Sequence, residues 1–417
     1  MYEQKEFTRH GPKGCNHCGG IVSESLVQIL ATEGINLPDN VVQRGIESYT
    51  FHTEVGSVQI ETPTHEKRIA AINRGGGPLG IDGVSWKSFD GFLQRLALNQ
   101  GTHLINQRVE SINFKTNKPQ VITKGGQSGF YDLVVGAVGV NSTSLKLFDE
   151  LGLDYNPPEV TKTFICEFPI GQEMVKELFG ESMHIFLLNI PRIKFAAFIP
   201  KGNNLTMCLL GKDINKELVN SFLNAPEVKR CFPSDWDLSQ RTPCQCYPKI
   251  NIKSCVKPYA DRFVLIGDSA VTRLYKDGIG AAYITAKAAA NTAIFQGISS
   301  ESFEKYFWPA CNEITFDNQI GKVLFIFTQL IQKLKFAKRG ILRMASKEQL
   351  SNKYHPHLSS ILWDTFTGSA RYKNIFIRTL NPIFLLTLIW QTLISILWPS
   401  KINKGSYYER TFFRKAI

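Results

Sequence analysis

The stretch RFVLIGDSAVTRLYKDGIGAAYITAKAAANTA, at residues 262–293, decides how this chain is expected to fold. Its first apolar residues are typical of a buried strand, which delivers Gly267 and Asp268 to its carboxyl end. A loop then leads to Gly278 and Gly280, which open an alanine-rich helix. A strand, a polar loop and a helix in this order predict one unit of an α/β sheet.

The residue types in this unit favour a nucleotide-type ligand. A carboxylate at Asp268, at the lip of a sheet, can accept hydrogen bonds from sugar hydroxyls. Glycines at 278 and 280 are expected to leave the helix N-terminus unobstructed by side chains, so that it faces an anion such as a pyrophosphate. The alternative is an ordinary strand, loop and helix whose acid only caps the turn.

The composition of the whole chain limits its class. It has 417 residues, of which 43% are hydrophobic and 20% charged, with a mean hydropathy of -0.11. Such a chain can bury one or two large cores, and the composition excludes a disordered tail and a polytopic membrane protein. The nine cysteines are odd in number and scattered, which favours a reducing compartment over a secreted disulfide framework.

The net charge of +12 is confined to the C-terminal quarter. Residues 320–417 carry 16 Lys and Arg against 3 Asp and Glu, whereas the rest of the chain is almost neutral. That quarter also holds the apolar run PIFLLTLIWQTLISILW at 382–398, between Arg378 and Lys401. Basic flanks around an apolar stretch favour a membrane surface and argue against nucleic acid as the partner.

Two interpretations of this region stay open. The apolar run is short for a span, which needs about 20 residues, and residues 320–349 alternate apolar and basic side chains, as a helix lying on lipid does. The alternative is that both helices are buried against the rest of the protein. We therefore expect a basic helical region at 301–417, and a cytoplasmic protein that is peripheral to a membrane or anchored to it C-terminally.

Other segments predict further elements of the same fold. Ser23 and Ser88 each precede a helical pattern, and both are good N-caps. Strand patterns at 103–112 and 131–136 complete an α/β alternation. From 161 to 210 the pattern changes to strands of a separate, largely antiparallel sheet.

At this point the chain resembles a known group, the flavoprotein monooxygenases and geranylgeranyl reductases. GDSAV at 267–271 is similar to the group's GDAAG motif, which a G-x-G turn follows. SFDGFLQRLALNQG at 88–101 resembles its FD-x-x-L helix, and YDLVVGAVGVNS at 131–142 resembles its D-x-V-x-GADG-x-x-S strand and turn. GCNHCGG at 14–20 resembles the cysteine-glycine turn that geranylgeranyl reductases place near the flavin, and 184–211 resembles their substrate sheet.

The resemblance implies FAD as the cofactor. It implies that Asp268 holds the ribityl chain and that the helix start faces the pyrophosphate and the flavin ring. The group also opens with a strand, a G-x-G-x-x-G turn and a helix, and a second strand ends in a ribose-binding acid. The chain begins at about the end of that second strand, so Met1 is expected to be a truncated start. The cofactor-binding residues so implied are Glu3, Gly267, Asp268, Gly278, Ile279 and Gly280, and the catalytic candidate is Cys18.

Two further patterns favour no site of their own. GGGPLG at 75–80 satisfies G-x-G-x-x-G literally, but no helical pattern follows its third glycine, so a turn near the ligand is the better prediction. The pairs Cys15/Cys18 and Cys244/Cys246 could hold zinc or an iron-sulfur cluster, but no fold argument brings them together. The histidines show no ligand spacing, and no metal site is predicted.

The expected fold class is α/β: a FAD-binding domain of the glutathione-reductase type, interrupted by an antiparallel β substrate domain and followed by a helical region. The FAD-binding domain is assigned to 1–38, 85–150 and 245–300, and the substrate sheet to 39–84 and 151–244. By resemblance the chain is a FAD-dependent oxidoreductase that reduces carbon-carbon double bonds of an apolar or isoprenoid-type substrate or lipid. The alternatives are a flavin monooxygenase and a non-catalytic membrane-associated adaptor. The electron donor stays unknown.

Overall fold

The computed structural model describes residues 1–16, 18–62, 69–79, 87–114, 118–126, 128–238, 244–350 and 357–397. Gly80, which ends the 75–80 loop, and Trp398, which ends the apolar run, lie outside these residues. The strands are β1 (Ile21–Val22), β2 (Val42–Ile46), β3 (Ser48–Thr53), β4 (Gly56–Glu61), β5 (Ile69–Ile72), β6 (Val109–Asn113), β7 (Gln120–Thr123), β8 (Ser128–Phe130), β9 (Val134–Gly136), β10 (Glu159–Lys162), β11 (Phe164–Pro169), β12 (Ser182–Phe186), β13 (Ile193–Pro200), β14 (Asn204–Gly211), β15 (Cys244–Cys246), β16 (Lys249–Lys253), β17 (Tyr259–Ala260) and β18 (Phe263–Leu265). The helices are α1 (Glu24–Thr32), α2 (Phe89–Asn99), α3 (Leu145–Asp149), α4 (Gln172–Leu178), α5 (Lys216–Leu223), α6 (Pro226–Lys229), α7 (Gly278–Phe295), α8 (Ser300–Ser302), α9 (Trp308–Lys333), α10 (Lys335–Leu350), α11 (His357–Thr367), α12 (Tyr372–Thr379) and α13 (Pro382–Leu397).

The 262–293 stretch folds into the predicted strand, loop and helix. Strand β18 lies between β17 and β9 and pairs with β9 in parallel. A 3-10 turn over Gly267–Ser269 follows, and α7 begins at Gly278. Gly267 has a φ of +63°, and a Cβ there would lie 3.4 Å from the Cβ of Ala282. The small side chains thus let α7 pack closely against the turn, as the sequence predicts.

The predicted serine caps are also present. The hydroxyl of Ser23 accepts a hydrogen bond from the Leu26 N–H, and that of Ser88 accepts one from the Gly91 N–H at 3.0 Å. Each satisfies a backbone donor that the first turn of its helix would otherwise leave unpaired.

A seven-stranded sheet carries the largest core, in the order β15-β11-β14-β13-β12-β3-β4. It is not wholly antiparallel, because β12 pairs with β3 in parallel, with His184 opposite Thr50. The two strands are separated by more than a hundred residues that include β9 and α2, so they are joined by a long crossover and not by a hairpin. Five of the six pairings in this sheet are antiparallel, so the sheet is largely antiparallel, as the strand pattern predicts.

Alternation along these strands gives the sheet two different faces. The face that we call the C-terminal face carries Tyr49, Ile185 and Ala197 and packs against α9 to α13. The opposite face, which we call the aromatic face, carries Phe186 and Phe198 and packs against α4 to α6 and the segment after them. Each face is a separate buried core.

The expected continuous helix at 320–349 is instead two helices. Leu334 has a strand-like backbone (φ -102°, ψ 106°), so α9 ends at Lys333 and α10 begins at Lys335. The side chain of Gln332 donates to the backbone oxygens of Leu188 and Ile193, so the end of α9 is fastened to the sheet. Within the described residues, a single helix long and apolar enough to cross a membrane is not found, and α12 with α13 meet that test only as a pair bent by 68°.

Candidate flavin site

Asp268 lies on the 3-10 turn at the carboxyl end of β18. Its carboxylate accepts a hydrogen bond from the Thr272 hydroxyl and lies 3.7 Å from where a Cβ would be at Gly278. Burial raises the pKa of Asp268, while the hydrogen bond from Thr272 and the charge of Arg74 act in the opposite direction. The structure therefore places a half-buried carboxylate directly beside the helix start.

The helix start itself differs from the prediction. Asp277, in the left-handed conformation (φ 48°), caps α7, and its carboxylate accepts the Gly280 N–H at 3.2 Å. A Cβ at Gly280 would lie 2.5 Å from that carboxylate, so the glycine is needed to admit the cap. The expectation of an N-terminus unobstructed by side chains is wrong, because an acid already satisfies one of its donors. The proposed cofactor contacts of Gly278, Ile279 and Gly280 stay predictions.

A buried arginine balances the capping acid. Arg273, 8% exposed, contacts the Asp277 carboxylate at 2.7 Å. It also donates to the backbone oxygens of Gly368 at 2.8 Å and Ala370 at 3.0 Å. This ion pair therefore fixes the 272–277 loop to the turn between α11 and α12.

Two further side chains of the C-terminal helices hold the same loop. Asn318 on α9 accepts the Leu274 N–H at 2.9 Å and donates to the Thr272 oxygen at 2.8 Å. The hydroxyl of Tyr372, fully buried at the start of α12, donates to the Leu274 oxygen. Sequence patterns assign the region after residue 301 no part in the site, yet it positions the loop between Asp268 and Gly278.

Lys276 is the second cation of this loop and is half-buried. Its ammonium donates to the backbone oxygens of Asp364 at 3.1 Å and Ala370 at 3.2 Å and lies 4.0 Å from the centre of the Tyr372 ring. Burial, with the adjacent charge of Arg273, lowers the pKa of Lys276 to about 7. The loop thus holds a lysine that titrates near neutral pH.

A chain of polar contacts leads from Glu3, near the N-terminus, to Arg74. The carboxylate of Glu3 accepts the Lys5 N–H at 2.8 Å, and the Lys5 ammonium donates to the side chain of Asn16 at 2.5 Å. Asn16 donates to Asp90, whose carboxylate also contacts the Arg74 guanidinium at 2.9 and 2.8 Å. The structure places Glu3 in this network, while its ribose-binding role stays a prediction.

Arg74 and Asp90 are the site residues that sequence reasoning missed. Although burial acts to lower it, the pKa of Arg74 is raised by Asp90, then by Cys18 and Asp268. The guanidinium therefore lies within electrostatic reach of both the catalytic candidate and the ribityl-binding candidate. Two sequence signals could have indicated these residues. Arg74 directly precedes three glycines, and Asp90 is an acid in the first turn of α2.

The turn that carries Cys18 is seated against the C-terminal face of the sheet. Cys18 is half-buried, and its sulfur accepts the Gly20 N–H at 3.4 Å. A Cβ at Gly20 (φ +76°) would lie 2.0 Å from the Ile72 oxygen and 3.1 Å from the ammonium of Lys201. This approach of backbone to backbone requires glycine.

The sulfurs of the four cysteines considered for a metal, all within the described residues, form no group of three or more within 4.8 Å of one another, although Cys15 and Cys18 lie within electrostatic reach of Cys246. Among the described residues, the group of three or more metal-ligating side chains whose ligand atoms all lie within 4.8 Å of one another is His52, His184 and Cys231. These three residues lie in the seven-stranded sheet and in the segment after α6.

The residues around Asp268 fit a flavin in their chemistry. Asn251 donates its amide to the backbone oxygen of Asp268 at 2.8 Å, and its own side-chain oxygen is buried with no hydrogen-bond partner among the described residues. The same holds for the amide nitrogen of Asn73, next to Arg74. Buried polar atoms are normally satisfied, so these two indicate a polar group that belongs beside them.

Comparison with known proteins identifies the fold. Neither a protein family's sequence profile nor a curated protein sequence matches the chain. A geranylgeranyl bacteriochlorophyll reductase-like protein from Thermoplasma acidophilum is similar in structure, with a TM-score of 0.61 and 13% identity, over 96% of this chain and 90% of that one. A flavoprotein/dehydrogenase from Cytophaga hutchinsonii is similar with a TM-score of 0.59 and 14% identity, over 94% of this chain and 92% of that one. A variant of HpxO from Klebsiella pneumoniae, complexed with FAD, is similar with a TM-score of 0.52 and 14% identity, over 88% of this chain and 92% of that one.

These similarities confirm the predicted mixed α/β fold. At such low identity they establish the architecture and leave the assigned domain bounds as predictions. The chain has the fold of these three proteins, which include a flavoprotein/dehydrogenase and a protein complexed with FAD.

Proposed function

We propose that this chain is a FAD-dependent oxidoreductase that reduces carbon-carbon double bonds of an apolar, isoprenoid-type substrate. The observation that carries the proposal is the half-buried carboxylate of Asp268 beside the start of α7, in a fold shared with a reductase-like protein over nearly the whole chain. FAD, when bound, supplies two-electron chemistry that no side chain offers. The protein would supply binding and orientation.

The roles of the residues follow from their positions. Asp268 would accept hydrogen bonds from the ribityl hydroxyls, with Thr272 and Asn251 fixing its orientation. Arg74, held by Asp90, would place a positive charge next to Cys18 and the cofactor. Cys18 would line the pocket where the substrate meets the flavin.

Flavin binding tests this proposal directly. A hydrogen bond to a charged group contributes about 1.5 to 3 kcal/mol, so Asp268→Ala should weaken FAD binding roughly 10- to 150-fold. Asp132→Ala removes an exposed acid that pairs with exposed Lys118 and, at 4.0 Å, with Arg262, and it should leave the affinity unchanged. Equal affinities for both folded variants would show that Asp268 is only a turn residue. A folded chain that takes up no FAD, either alone or with a strand–GxGxxG–helix segment joined before Met1, would contradict the proposal and favour the adaptor.

A flavin monooxygenase is the second candidate, because the FAD complex of HpxO shares the fold. Oxygen consumption separates the two. Stoichiometric uptake of oxygen with substrate would support the monooxygenase, whereas substrate reduction under anaerobic conditions would support the reductase.

We further propose that the substrate reaches the protein from an anionic membrane surface. The distal side of α13 exposes Leu386 (68%), Trp390 (61%) and Leu397 (70%), and α9 exposes Phe327 (55%). Exposed apolar side chains on helices of one region, rich in Lys and Arg, suit the boundary between headgroups and acyl chains. Such a surface would bring an isoprenoid to the protein without passage through water.

Liposome flotation tests the membrane proposal. The full chain should float with anionic liposomes at low salt and less so at high salt, because each basic residue near the surface contributes only about 1 kcal/mol and is screened. The double variant Leu386→Asp/Trp390→Asp should stay in the soluble fraction. Phe130→Asp, at a similarly exposed aromatic residue in β8, outside the C-terminal helices, should float normally. Wild-type protein that stays soluble at low salt would contradict the proposal.

A further inference from the structure

Two histidines meet on the aromatic face of the seven-stranded sheet. His52 on β3 and His184 on β12 lie on strands that pair in parallel, so the strand register brings together residues 132 positions apart. The Nε2 of His52 is 3.1 Å from the Nδ1 of His184. His52 stacks on Phe186, at 4.6 Å between ring centres, and His184 contacts Phe179 at 4.8 Å. The aromatic rings hold both imidazoles in place.

A thiol completes the cluster. Cys231 follows α6, and its sulfur is 3.8 Å from the Nδ1 of His184. The three ligand atoms lie within 4.8 Å of one another. Zn²⁺ binds nitrogen at about 2.0 to 2.1 Å and sulfur at about 2.3 Å. In tetrahedral geometry these bonds place two nitrogen ligands about 3.3 Å apart, and a nitrogen and a sulfur ligand about 3.6 Å apart. The observed 3.1 and 3.8 Å are close to those separations, so small side-chain movements suffice to bind an ion.

The imidazoles suit a metal, whereas the thiol must first lose its proton. Both imidazoles lie against aromatic rings, and the neutral form of the ring is the one that binds metal. Burial raises the pKa of the Cys231 thiol to about 12. A bound dication would have to release that proton to solvent, as metal binding to a thiol ordinarily does.

The nearest charges are a balanced pair. The positive charge of Arg230 interacts electrostatically with both His52 and Cys231, and by itself it would oppose the binding of a cation. Its guanidinium is 3.3 Å from the carboxylate of Glu227, whose backbone oxygen accepts from the Cys231 thiol at 3.5 Å. The acid therefore offsets much of the arginine's charge at the cluster.

We propose that His52, His184 and Cys231 form a three-ligand site for Zn²⁺, with a water molecule or a small exogenous ligand in the fourth position. His52 is only half-buried, which gives the ion a route from solvent. Binding replaces the thiol proton by the metal and changes no oxidation state. The site lies on the sheet face opposite Cys208, which contacts the Cys18 turn, so it is separate from the flavin site and does not depend on the proposed function. Its expected effect is to tie β3 and β12 to the segment after α6.

Cobalt substitution tests the site in the full chain. Co²⁺ should bind at about one equivalent and give a thiolate-to-metal charge-transfer band together with the visible bands of a four-coordinate ion, and Zn²⁺ should displace it. Cys231→Ala should abolish the charge-transfer band and weaken Zn²⁺ binding by at least about 100-fold. Mutating a residue that only orients a ligand already lowers metal affinity about 10- to 100-fold, and loss of a ligand should cost at least as much. Cys166→Ala removes another buried cysteine from the same core and should change neither.

A second variant covers the case in which Cys231→Ala folds poorly. His52→Gln alters a half-buried side chain, and we expect it to keep the charge-transfer band while weakening Co²⁺ binding at least about 10-fold. Folded wild-type protein without a Co²⁺ charge-transfer band would overturn the proposal, since the histidines would then be only a hydrogen-bonded pair in the core. Equal metal binding by wild type and Cys231→Ala would overturn it as well.

Discussion

The two faces of the seven-stranded sheet are built from the same strands and serve different ends. On the aromatic face, Phe186 and Phe198 pack edge to face at 5.2 Å under short helices. On the C-terminal face, the Cys18 turn, buried Lys201 and the helices after residue 308 come together. Alternation along a strand thus lets one element stabilise the fold on one side and contribute to the candidate flavin site on the other.

The largest effect should come from the aromatic face. Phe198 is fully buried and contacts Phe168, Phe179 and Phe186, so Phe198→Ala should lower the free energy of unfolding by about 3 to 5 kcal/mol. Urea denaturation measures the loss. FAD affinity of the remaining folded protein should not change.

Phe195 supplies the matched change on the other face. It is 8% exposed and contacts Phe325 of α9 and Phe366 of α11. Phe195→Ala should also destabilise the fold, but in addition it should weaken FAD binding, because α9 holds the 272–277 loop. Identical FAD affinities for the two variants would contradict the expectation that only the C-terminal face affects FAD binding.

A somewhat smaller effect is expected at Arg273. Removing one partner of a buried ion pair costs about 3 to 5 kcal/mol, and Asp277 keeps its hydrogen bond from Gly280, so Arg273→Met should cost about 3 kcal/mol. Arg371→Met, at an exposed pair with Glu313, should cost at most about 1 kcal/mol. Thermal or urea unfolding compares them, and equal losses would show that the loop does not depend on its C-terminal anchor.

The smallest effect concerns pH. The pKa of Lys276 is about 7 in the folded chain against a usual value of 10.5, so between those values the unfolded chain binds more protons and stability rises with pH. The rise is at most about 1.4 kcal/mol per pH unit. Between roughly pH 7 and pH 9, wild type should gain about 2 kcal/mol relative to Lys276→Met. Parallel stability curves for the two proteins would contradict this sign and magnitude.

The parts of the fold that are predictable from sequence are those that local chemistry determines. Ser23 and Ser88 are good caps wherever the chain goes next, and the apolar strand before Gly267 needs no distant partner to be recognised. Alternation within β12 to β14 likewise follows from neighbouring residues.

The parts that sequence reasoning missed depend on contacts distant along the chain or on a side chain's final direction. Asp277 is an ordinary loop acid until its side chain is seen to cap α7, and the parallel pairing that joins His52 to His184 spans 132 residues. The break at Leu334 coincides with Gln332 bonding to the sheet, which the residues around it do not reveal. Such contacts have no periodic signal.

The anchoring of the 272–277 loop by Asn318 and Tyr372 has a consequence for biosynthesis. The ribosome delivers Leu274 98 residues before Tyr372, so the loop is synthesised well before both of its clamps exist. An emerging chain therefore carries Asp268 on an unsecured loop, so under the proposed function cofactor loading would come late in synthesis. Ribosome-stalled chains of increasing length would reveal this as flavin retention that begins only once α12 has left the exit tunnel.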